Sequence, residues 1–195
     1  MKKRVFKICL FAASVVGMSL FKGCASKQAP LPTPSHVDIE RFMGRWYVVG
    51  YTPIVVDKEA RNAIEHYRMD ADAKIQTTYQ FRDGGFDADL KTYTPVGWVH
   101  DEATNAEWRM QFMWPFRSDY IILHVDEGYN ETIIAHPGRK YAWIMTRSHE
   151  VDAADYERML KQLASAGYDT SIVKRMPHDW SGEAARLNDL ESQRL

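Results

Sequence analysis

GRWYVVGY, residues 44–51, opens the part of the chain in which apolar and turn-forming residues follow a strand-like pattern. Turn signals then recur roughly every ten residues as far as residue 147, with no helical pattern between them. Strands joined by short connections must run antiparallel to their neighbours. This stretch therefore predicts the first strand of an all-β domain whose strands follow one another in chain order.

Eight strand-like segments occur between residues 44 and 147. After the first, they span 62–69, 74–82, 87–100, 106–114, 119–125, 132–136 and 141–147. In the 87–100 segment, Pro95 predicts a bulge or a bend. Eight antiparallel strands in sequence order favour an up-and-down β-barrel, because closure removes both edges of the sheet.

One α-helix is predicted after the strands. Asp152 is placed to cap its start and Gly167 to end it. A single apolar stripe lies between them, formed by Tyr156, Met159, Leu160 and Leu163. A helix with one stripe is expected to pack on the outside of the barrel. Residues 171–176 are a candidate for a short extra strand, and residues 178–195 are expected to form a polar, frayed helical tail.

Residues 1–23 have the features of a targeting segment. A basic start and an apolar run of 13 residues lead to Gly23, which precedes Cys24. This order resembles a bacterial lipoprotein signal, in which the cysteine becomes the acylated N-terminus. Several acyl chains anchor a protein durably. Ala25 stands where inner-membrane retention signals carry Asp, so the resemblance implies the outer membrane, with the domain on its periplasmic side.

Two other interpretations of this segment stay open. Phe21 and Lys22 stand where lipoprotein signals usually carry Leu and a small residue. An ordinary signal peptide cut elsewhere, or an uncleaved anchor, would also fit. Residues 24–36 contain three prolines and no apolar periodicity, which predicts a semi-extended, exposed tether.

Composition narrows the class of protein. Apolar residues make up 45% of the chain, which is enough for a core, and the many aromatic residues suit a core or an apolar pocket. Without the five cations of residues 1–23, the remaining 20 basic and 26 acidic residues give a net charge of about −6. A mildly acidic protein has no electrostatic reason to bind nucleic acid.

Cysteine usage also limits the possible sites. Cys9 lies in the apolar run and leaves with it, so Cys24 is the single cysteine of the mature chain and no intramolecular disulfide is possible. The sequence has no CxxC, no Cys/His cluster and no HExxH, so neither a metal nor another cofactor is expected.

Three short motifs lie at fixed places on these strands. GRWY (44–47) begins the first strand, SDY (118–120) leads into the sixth, and Arg147 ends the eighth. Together they resemble the GxW, TDY-like and terminal Arg motifs of the lipocalin family, with Ser118 in place of Thr. The longer phrases DIERFMGRWYVVG, QFMWPF, DYIILHVDE and YAWIMTR are similar to bacterial outer-membrane lipoprotein lipocalins. The resemblance covers residues 37–177 and implies an eight-stranded barrel with one outer C-terminal helix.

The resemblance implies a structural role for two of these residues. Trp46 would plug the closed end of the barrel, and Arg147 would lie across its ring. A guanidinium over an indole gains a cation–π contact, and its other donors can bind chain-end carbonyls. Both residues are expected to close the barrel rather than to touch a ligand.

Alternation along the strands names the inward side chains. On the first strand these are Trp46, Val48 and Gly50. The residues expected to bind a ligand are Tyr67, Tyr79, Trp98, Phe112, Trp114, Tyr120, Ile122 and Trp143. Both orientations fit the strand that carries Trp98. Glu65 shares the parity of Tyr67, so it either faces inward with a partner or a raised pKa, or lies at the rim.

A lining of apolar side chains and phenols suits an acyl chain with a polar headgroup. The resemblance implies a fatty acid or a lysophospholipid as the ligand, bound for storage or transport in the cell envelope. Two alternatives remain: an interaction module whose barrel is filled by its own side chains, and, with less support, a lipid-modifying enzyme. The barrel segment contains no cysteine, and the sequence contains no GxSxG motif. No catalytic residues are therefore named, and no enzyme is predicted. Apolar residues near the turn at 113–116 are also typical of a loop that meets a membrane or a second subunit, which allows a homodimer, or of a turn packed against the barrel mouth.

Overall fold

The strands form one antiparallel sheet. A computed structural model describes residues 28–192, so the predicted signal segment, Cys24 and residues 193–195 lie outside the described residues. The strands are β1 (Gly44–Tyr51), β2 (Ala60–Met69), β3 (Ile75–Asp83), β4 (Leu90–Tyr93), β5 (Val96–Val99), β6 (Glu107–Met113), β7 (Phe116–Val125), β8 (Glu131–Ala135), β9 (Ala142–Thr146) and β10 (Lys174–Arg175). Because β1 pairs with both β2 and β9, the sheet closes into a barrel.

The barrel has eight positions around its wall. β4 and β5 both pair with β3 and are two parts of one interrupted strand. The interruption falls at Thr94 and Pro95, as the proline predicts, and the carbonyl of Pro95 accepts a hydrogen bond from the Thr77 amide at 3.1 Å. The predicted eight-stranded antiparallel barrel with an outer helix is therefore confirmed.

Three α-helices and one 3₁₀ turn complete the described chain. They are α1 (Ile39–Phe42), α2 (Ala153–Ser165), α3 (Ala184–Ser192) and the 3₁₀ turn Thr170–Ile172. As predicted, the Asp152 carboxylate caps α2 by accepting from the Asp155 amide at 2.8 Å, and Gly167 follows the helix with φ +88°. None of the helices between residues 28 and 192 has the length and apolar content that a bilayer span requires.

Buried side chains separate into two clusters, one on each side of the barrel wall. The inner cluster includes Trp46, Val48, Tyr67, Phe81, Met110, Ile122 and Met145. The outer cluster joins Tyr47, Val49, Ile121, Ile133 and Ile144 to the Tyr156, Met159 and Leu163 stripe of α2. Successive residues of one strand thus belong to different clusters, which is the alternation expected for a sheet with both faces covered.

The two ends of the barrel differ. At the closed end, α1 lies beside the start of β1, and three strand connections carry Asp70, Asp101 and Asp126 within their first two residues. Each of these carboxylates accepts hydrogen bonds from backbone amides of its own turn, which fixes the turn locally. The other end, here called the mouth, is formed by residues 52–59, 84–89 and 136–141 and by the β6–β7 hairpin, in which Trp114 and Pro115 make the turn.

A bulge changes the predicted orientation of Gly50. The pairing of β1 with β9 shifts register between Val48 and Gly50. A Cβ on Gly50 would meet the Tyr156 hydroxyl at 2.9 Å and Ile144 at 3.2 Å, both on the outer side. The expectation that Gly50 faces inward is therefore wrong. The bulge turns it toward α2, where only a residue without a side chain leaves room for Tyr156.

The segment after α2 folds back over the barrel. β10 pairs with β1, with Arg175 opposite Gly50, so the candidate strand at 171–176 is present but short. The chain then crosses the outer wall to α3, whose Leu190 is 0% exposed. The expectation of a frayed tail is therefore wrong for residues 178–192.

Buried polar groups hold this segment in place. Arg186 donates hydrogen bonds to the carbonyl of Asn62 at 2.9 Å and to the side chain of Gln80 at 3.0 Å. Glu183 accepts from Arg82 at 2.9 Å and is 4% exposed. The sequence suggests that these charged residues face water. In the structure they pack beside a bulge of β2, and residues of the barrel are their hydrogen-bond partners.

Candidate functional site

The closed end is tied together by one arginine. The guanidinium carbon of Arg147 lies 3.7 Å from the centroid of the Trp46 ring. The guanidinium donates to the carbonyls of Arg41 (2.8 Å), Phe42 (3.1 Å), Met43 (2.9 Å), Arg45 (2.6 Å) and Tyr129 (3.2 Å). The Trp46 indole donates in turn to the Phe42 carbonyl at 2.8 Å. This end of the barrel is therefore sealed by the pair that the sequence motifs predict.

Aromatic rings fill the closed half of the barrel. Phe42 from α1 meets Trp108 with ring centroids 5.2 Å apart. Trp108 stacks on Tyr120 at 5.7 Å, and Tyr120 stacks on Trp143 at 6.3 Å. These rings form a continuous contact from the plug toward the mouth, and such contacts add to the free energy of burial.

Glu65 lies among these rings. It is 6% exposed, and its carboxylate accepts hydrogen bonds from the hydroxyls of Tyr67 and Tyr120, the latter at 3.0 Å. Burial away from water raises its pKa from 4.5 to about 7, and the charge of Asp57 adds to the rise. The structure therefore shows Glu65 facing inward rather than lying at the rim. Near neutral pH the carboxyl is therefore partly protonated and can donate as well as accept a hydrogen bond.

A second carboxyl lies nearer the mouth. Asp57 is 0% exposed, accepts from the Tyr79 hydroxyl at 3.1 Å and accepts from the Ile54 amide at 2.8 Å. Burial raises its pKa, and burial also raises that of Tyr79. The sequence around Asp57 carries no signal for this burial, because a carboxylate in a loop normally faces water. The interior thus carries two carboxyl–phenol groups at different depths.

Two interior polar groups have no partner. The indole nitrogen of Trp143 and the hydroxyl of Thr77 are buried and make no hydrogen bond within residues 28–192. Trp143 packs against the inner cluster, and Thr77 shares the inward parity of Ile75 and Tyr79. Most buried polar atoms in proteins are hydrogen-bonded, so each of these two inner groups lacks the partner that such a group normally has.

The predicted ligand-binding residues fall into two groups. Tyr67, Tyr79, Tyr120 and Ile122 belong to the inner cluster, with Trp143 packed against it. Phe112 is 56% exposed and Trp114 is 82% exposed, both at the mouth. The pairing of β6 with β7 shifts register after Met110, so alternation from Trp108 no longer places these two side chains against the inner cluster.

Trp98 faces outward, so its assignment to the ligand site is wrong. A Cβ on the neighbouring Gly97 would meet the Met110 sulfur at 2.4 Å and Ile75 at 3.4 Å, which places position 97 inside. By alternation Trp98 lies on the outer face, where the guanidinium of Arg117 lies 4.0 Å from its ring centroid. The close packing of Gly97 against Met110 is what fixes the parity that the sequence left open.

A groove on the outer wall is chemically different from the interior. It has a volume of about 1000 Å³ and lies between the end of β9, the start of α2 and the segment after β10. Its lining includes Arg147, His149, Asp152, Asp155 and Arg175. Such a charged lining does not suit an acyl chain. Within residues 28–192, no group of three or more His, Cys, Asp or Glu side chains is placed to hold a metal ion.

Comparison with known proteins identifies relatives of the whole barrel. The family model for the lipocalin-like domain matches residues 37–178. The outer membrane lipoprotein Blc of Escherichia coli K12 is 25% identical over 172 residues, covering 82% of this chain and 90% of that protein. Temperature-induced lipocalin-1 of Arabidopsis thaliana is 23% identical over 155 residues, covering 72% of this chain and 79% of that protein.

Solved structures show the same fold at lower sequence identity. Insecticyanin from the tobacco hornworm Manduca sexta superposes with a TM-score of 0.61 at 17% identity, covering 78% of this chain and 86% of its own. Apocrustacyanin C1 also gives a TM-score of 0.61, at 12% identity, covering 82% of this chain and 97% of its own. These structures support the barrel architecture.

Proposed function

The chain belongs to the lipocalin family, and from this premise we propose that it binds a lipid with an acyl chain, such as a fatty acid or a lysophospholipid, inside its barrel. The observation that carries the proposal is the interior itself. It is a closed apolar cluster that contains two buried polar groups without a partner, the Trp143 indole and the Thr77 hydroxyl. Each CH₂ group of an acyl chain buried there would contribute about 0.8 kcal/mol to the free energy of binding. The polar end of the lipid would supply the missing hydrogen bonds.

The proposed location is the bacterial cell envelope. Relatives of this chain from Escherichia coli and Vibrio cholerae are named outer membrane lipoproteins. The sequence pattern before Cys24 supports acylation of that cysteine, which would hold the domain on the periplasmic side of the outer membrane. The proposed role is storage or transport of lipid rather than catalysis, because the buried carboxyls Glu65 and Asp57 already accept hydrogen bonds from tyrosine hydroxyls.

The ring contacts favour a second candidate function. Phe42, Trp108 and Tyr120 already fill the closed half of the barrel, at centroid distances of 5.2 to 5.7 Å. A barrel filled in this way suits an envelope interaction module that carries no ligand. The two candidates differ in one measurable property, because only the first requires saturable lipid binding.

Two tryptophans provide the test. A fluorescent fatty acid is titrated into delipidated protein, and lysophosphatidylethanolamine is used as a competitor. Trp143→Ala removes an inner side chain and its unpaired donor, so we expect affinity to fall about tenfold or more, which corresponds to about 1.4 kcal/mol. Trp98→Ala removes an outer side chain of the same type and should leave the affinity unchanged.

The outcomes separate the candidates. Saturable binding that is lost in Trp143→Ala but kept in Trp98→Ala supports the lipid-binding proposal. If folded, delipidated wild-type protein shows no saturable micromolar binding, the filled-barrel module is the better description. Equal affinity in both variants would remove Trp143 from the site.

A further inference from the structure

The mouth carries the exposed apolar side chains of the barrel. Large apolar residues that remain open to solvent come from all four mouth connections: Val55 (85% exposed), Val56 (43%), Phe86 (38%), Met113 (68%), Trp114 (82%), Phe116 (69%) and Tyr141 (40%). These seven residues are called the apolar rim below. A soluble protein rarely gathers so many such side chains at one end unless that end meets another apolar surface.

The described chain also begins at this end. Arg139, in the 136–141 connection, donates hydrogen bonds to the carbonyl of Ala29 at 2.6 Å and to the side chain of Gln28 at 3.3 Å. Cys24 precedes Gln28 by four residues, and four residues span at most about 14 Å. An acyl chain on Cys24 would therefore enter its membrane within about 14 Å of Gln28, on the side of the mouth.

We propose that the apolar rim docks on the lipid bilayer that holds the acylated Cys24, so that the mouth of the barrel opens directly onto that membrane. The inference rests on the acylation proposed above. Trp114 stands at the tip of the β6–β7 hairpin, and tryptophan is favoured at the boundary between headgroups and acyl chains. A lipid would then pass between bilayer and barrel without crossing water.

The charges around the mouth indicate how the contact forms. Exposed cations (Lys58, Lys91, Arg117 and Lys140) and exposed anions (Glu59, Asp83, Asp87 and Asp89) are present in equal number on the mouth connections and the adjoining strand ends. No net charge draws this end toward an anionic surface, so burial of apolar area must stabilise the contact. Docking is therefore expected to change little with salt concentration, unlike an electrostatic contact.

The site-specific test compares one position at the mouth with one at the closed end. Full-length protein carrying Phe116→Cys or Ala103→Cys is expressed, processed and purified with its acyl chains, labelled with a nitroxide, and reconstituted into phosphatidylethanolamine and phosphatidylglycerol vesicles. Ala103 lies exposed in the β5–β6 turn. We expect the label at position 116 to collide more with oxygen than with a water-soluble nickel chelate, and the label at position 103 to show the reverse.

Each outcome has a definite meaning. Flotation of the vesicles and mass measurement of the acylated cysteine report on the anchor independently of the labels. Protein that is acylated and floats, but has a water-exposed label at 116, overturns docking while the anchor stands. Protein that lacks acyl chains and does not float overturns both proposals. Strong dipolar coupling between the 116 labels of two copies would show that a second copy covers the rim, which also overturns docking on the bilayer.

A transfer measurement gives a second test. Met113→Ser with Phe116→Ser should slow the transfer of a fluorescent fatty acid from vesicles to the acylated protein several-fold. Ile172→Ser removes an exposed apolar residue (44% exposed) that lies outside the rim and should leave the rate unchanged. Equal rates in the two variants would overturn the proposal. Affinity measured in solution without vesicles shows whether ligand binding itself has failed.

Discussion

At the scale of single residues, Arg147 performs a task that few side chains can perform. Its planar guanidinium covers the Trp46 ring at 3.7 Å and also donates to five backbone carbonyls around the closed end. Lysine has the same charge but lacks the planar fork that allows stacking and several hydrogen bonds at once. The closed end therefore depends on the shape of the guanidinium as well as on its charge.

Arg147→Lys should consequently destabilise the protein almost as much as Arg147→Ala. We expect both to lower the free energy of unfolding by about 3 kcal/mol, since each loses the charge-assisted hydrogen bonds to the five backbone carbonyls and the stacked contact. Urea unfolding monitored by circular dichroism measures the difference. Near wild-type stability for the lysine variant would show that charge alone is sufficient.

The sequence motifs predicted the roles of the residues that close the barrel. The resemblance to the lipocalin motifs implied that Arg147 lies across the Trp46 ring, and the structure shows that contact. Orientation was harder to predict. Alternation fails for Gly50 and Phe112, because β-bulges at Val48–Gly50 and after Met110 insert a residue without a recognisable sequence signal.

At the scale of elements, local patterning was sufficient for the strands and for α2 but not for α3. An apolar stripe predicts that α2 packs on the barrel. In α3 the buried residues are Arg186 and Leu190, which form no such stripe. Burial of Arg186 becomes favourable only when its near neighbour Glu183 is joined by Gln80 and the Asn62 carbonyl, and these last two partners come from a distant part of the chain. A short stretch of sequence therefore does not predict the burial of Arg186.

The packing of α3 can be tested at Leu190. Leu190→Ala removes a fully buried side chain and should cost about 2–5 kcal/mol of local stability. We expect faster hydrogen exchange at the amides of residues 184–192, with β6 and β7 little affected, because α3 packs on the other side of the barrel against β1.

Asn188→Ala, at an exposed position of the same helix, is the matched control. Unchanged protection of α3 in Leu190→Ala would mean that the polar contacts of Glu183 and Arg186 are sufficient to hold it.

At the scale of the whole molecule, two buried groups give stability opposite dependences on pH. Glu65 has a pKa of about 7 in the fold, above its usual 4.5, so its contribution is full below pH 4.5 and is lost as the pH rises through 7. Burial lowers the pKa of His178 to about 4, so its contribution is full above pH 6.5 and is lost as the pH falls through 4. Over the shared range the two effects oppose each other.

Glu65→Gln should expose this compensation. Glutamine does not ionise, so the variant does not lose the free energy of unfolding that wild type loses as Glu65 ionises. That loss is about 3 kcal/mol between pH 4.5 and 7. We therefore expect its free energy of unfolding to rise more steeply with pH than that of wild type over this range, because the opposition of Glu65 to His178 is removed, and to exceed that of wild type most at pH 8.

Urea titrations from pH 4 to pH 8 measure the effect. The control is Glu102→Gln, an exposed carboxylate in the β5–β6 turn, which should follow the wild-type profile. A parallel profile for Glu65→Gln would show that the buried carboxyl does not control this dependence.

The course of the chain across the barrel has a practical consequence. The described chain starts beside Arg139 at the mouth, whereas α3 ends next to Arg45 at the sealed end, where Glu191 approaches that arginine at 3.8 Å. A fluorescent protein or affinity tag fused after the last residue would therefore project from the pole opposite the ligand entrance. Immobilising the protein through such a fusion would leave the entrance free to sample vesicles supplied from solution.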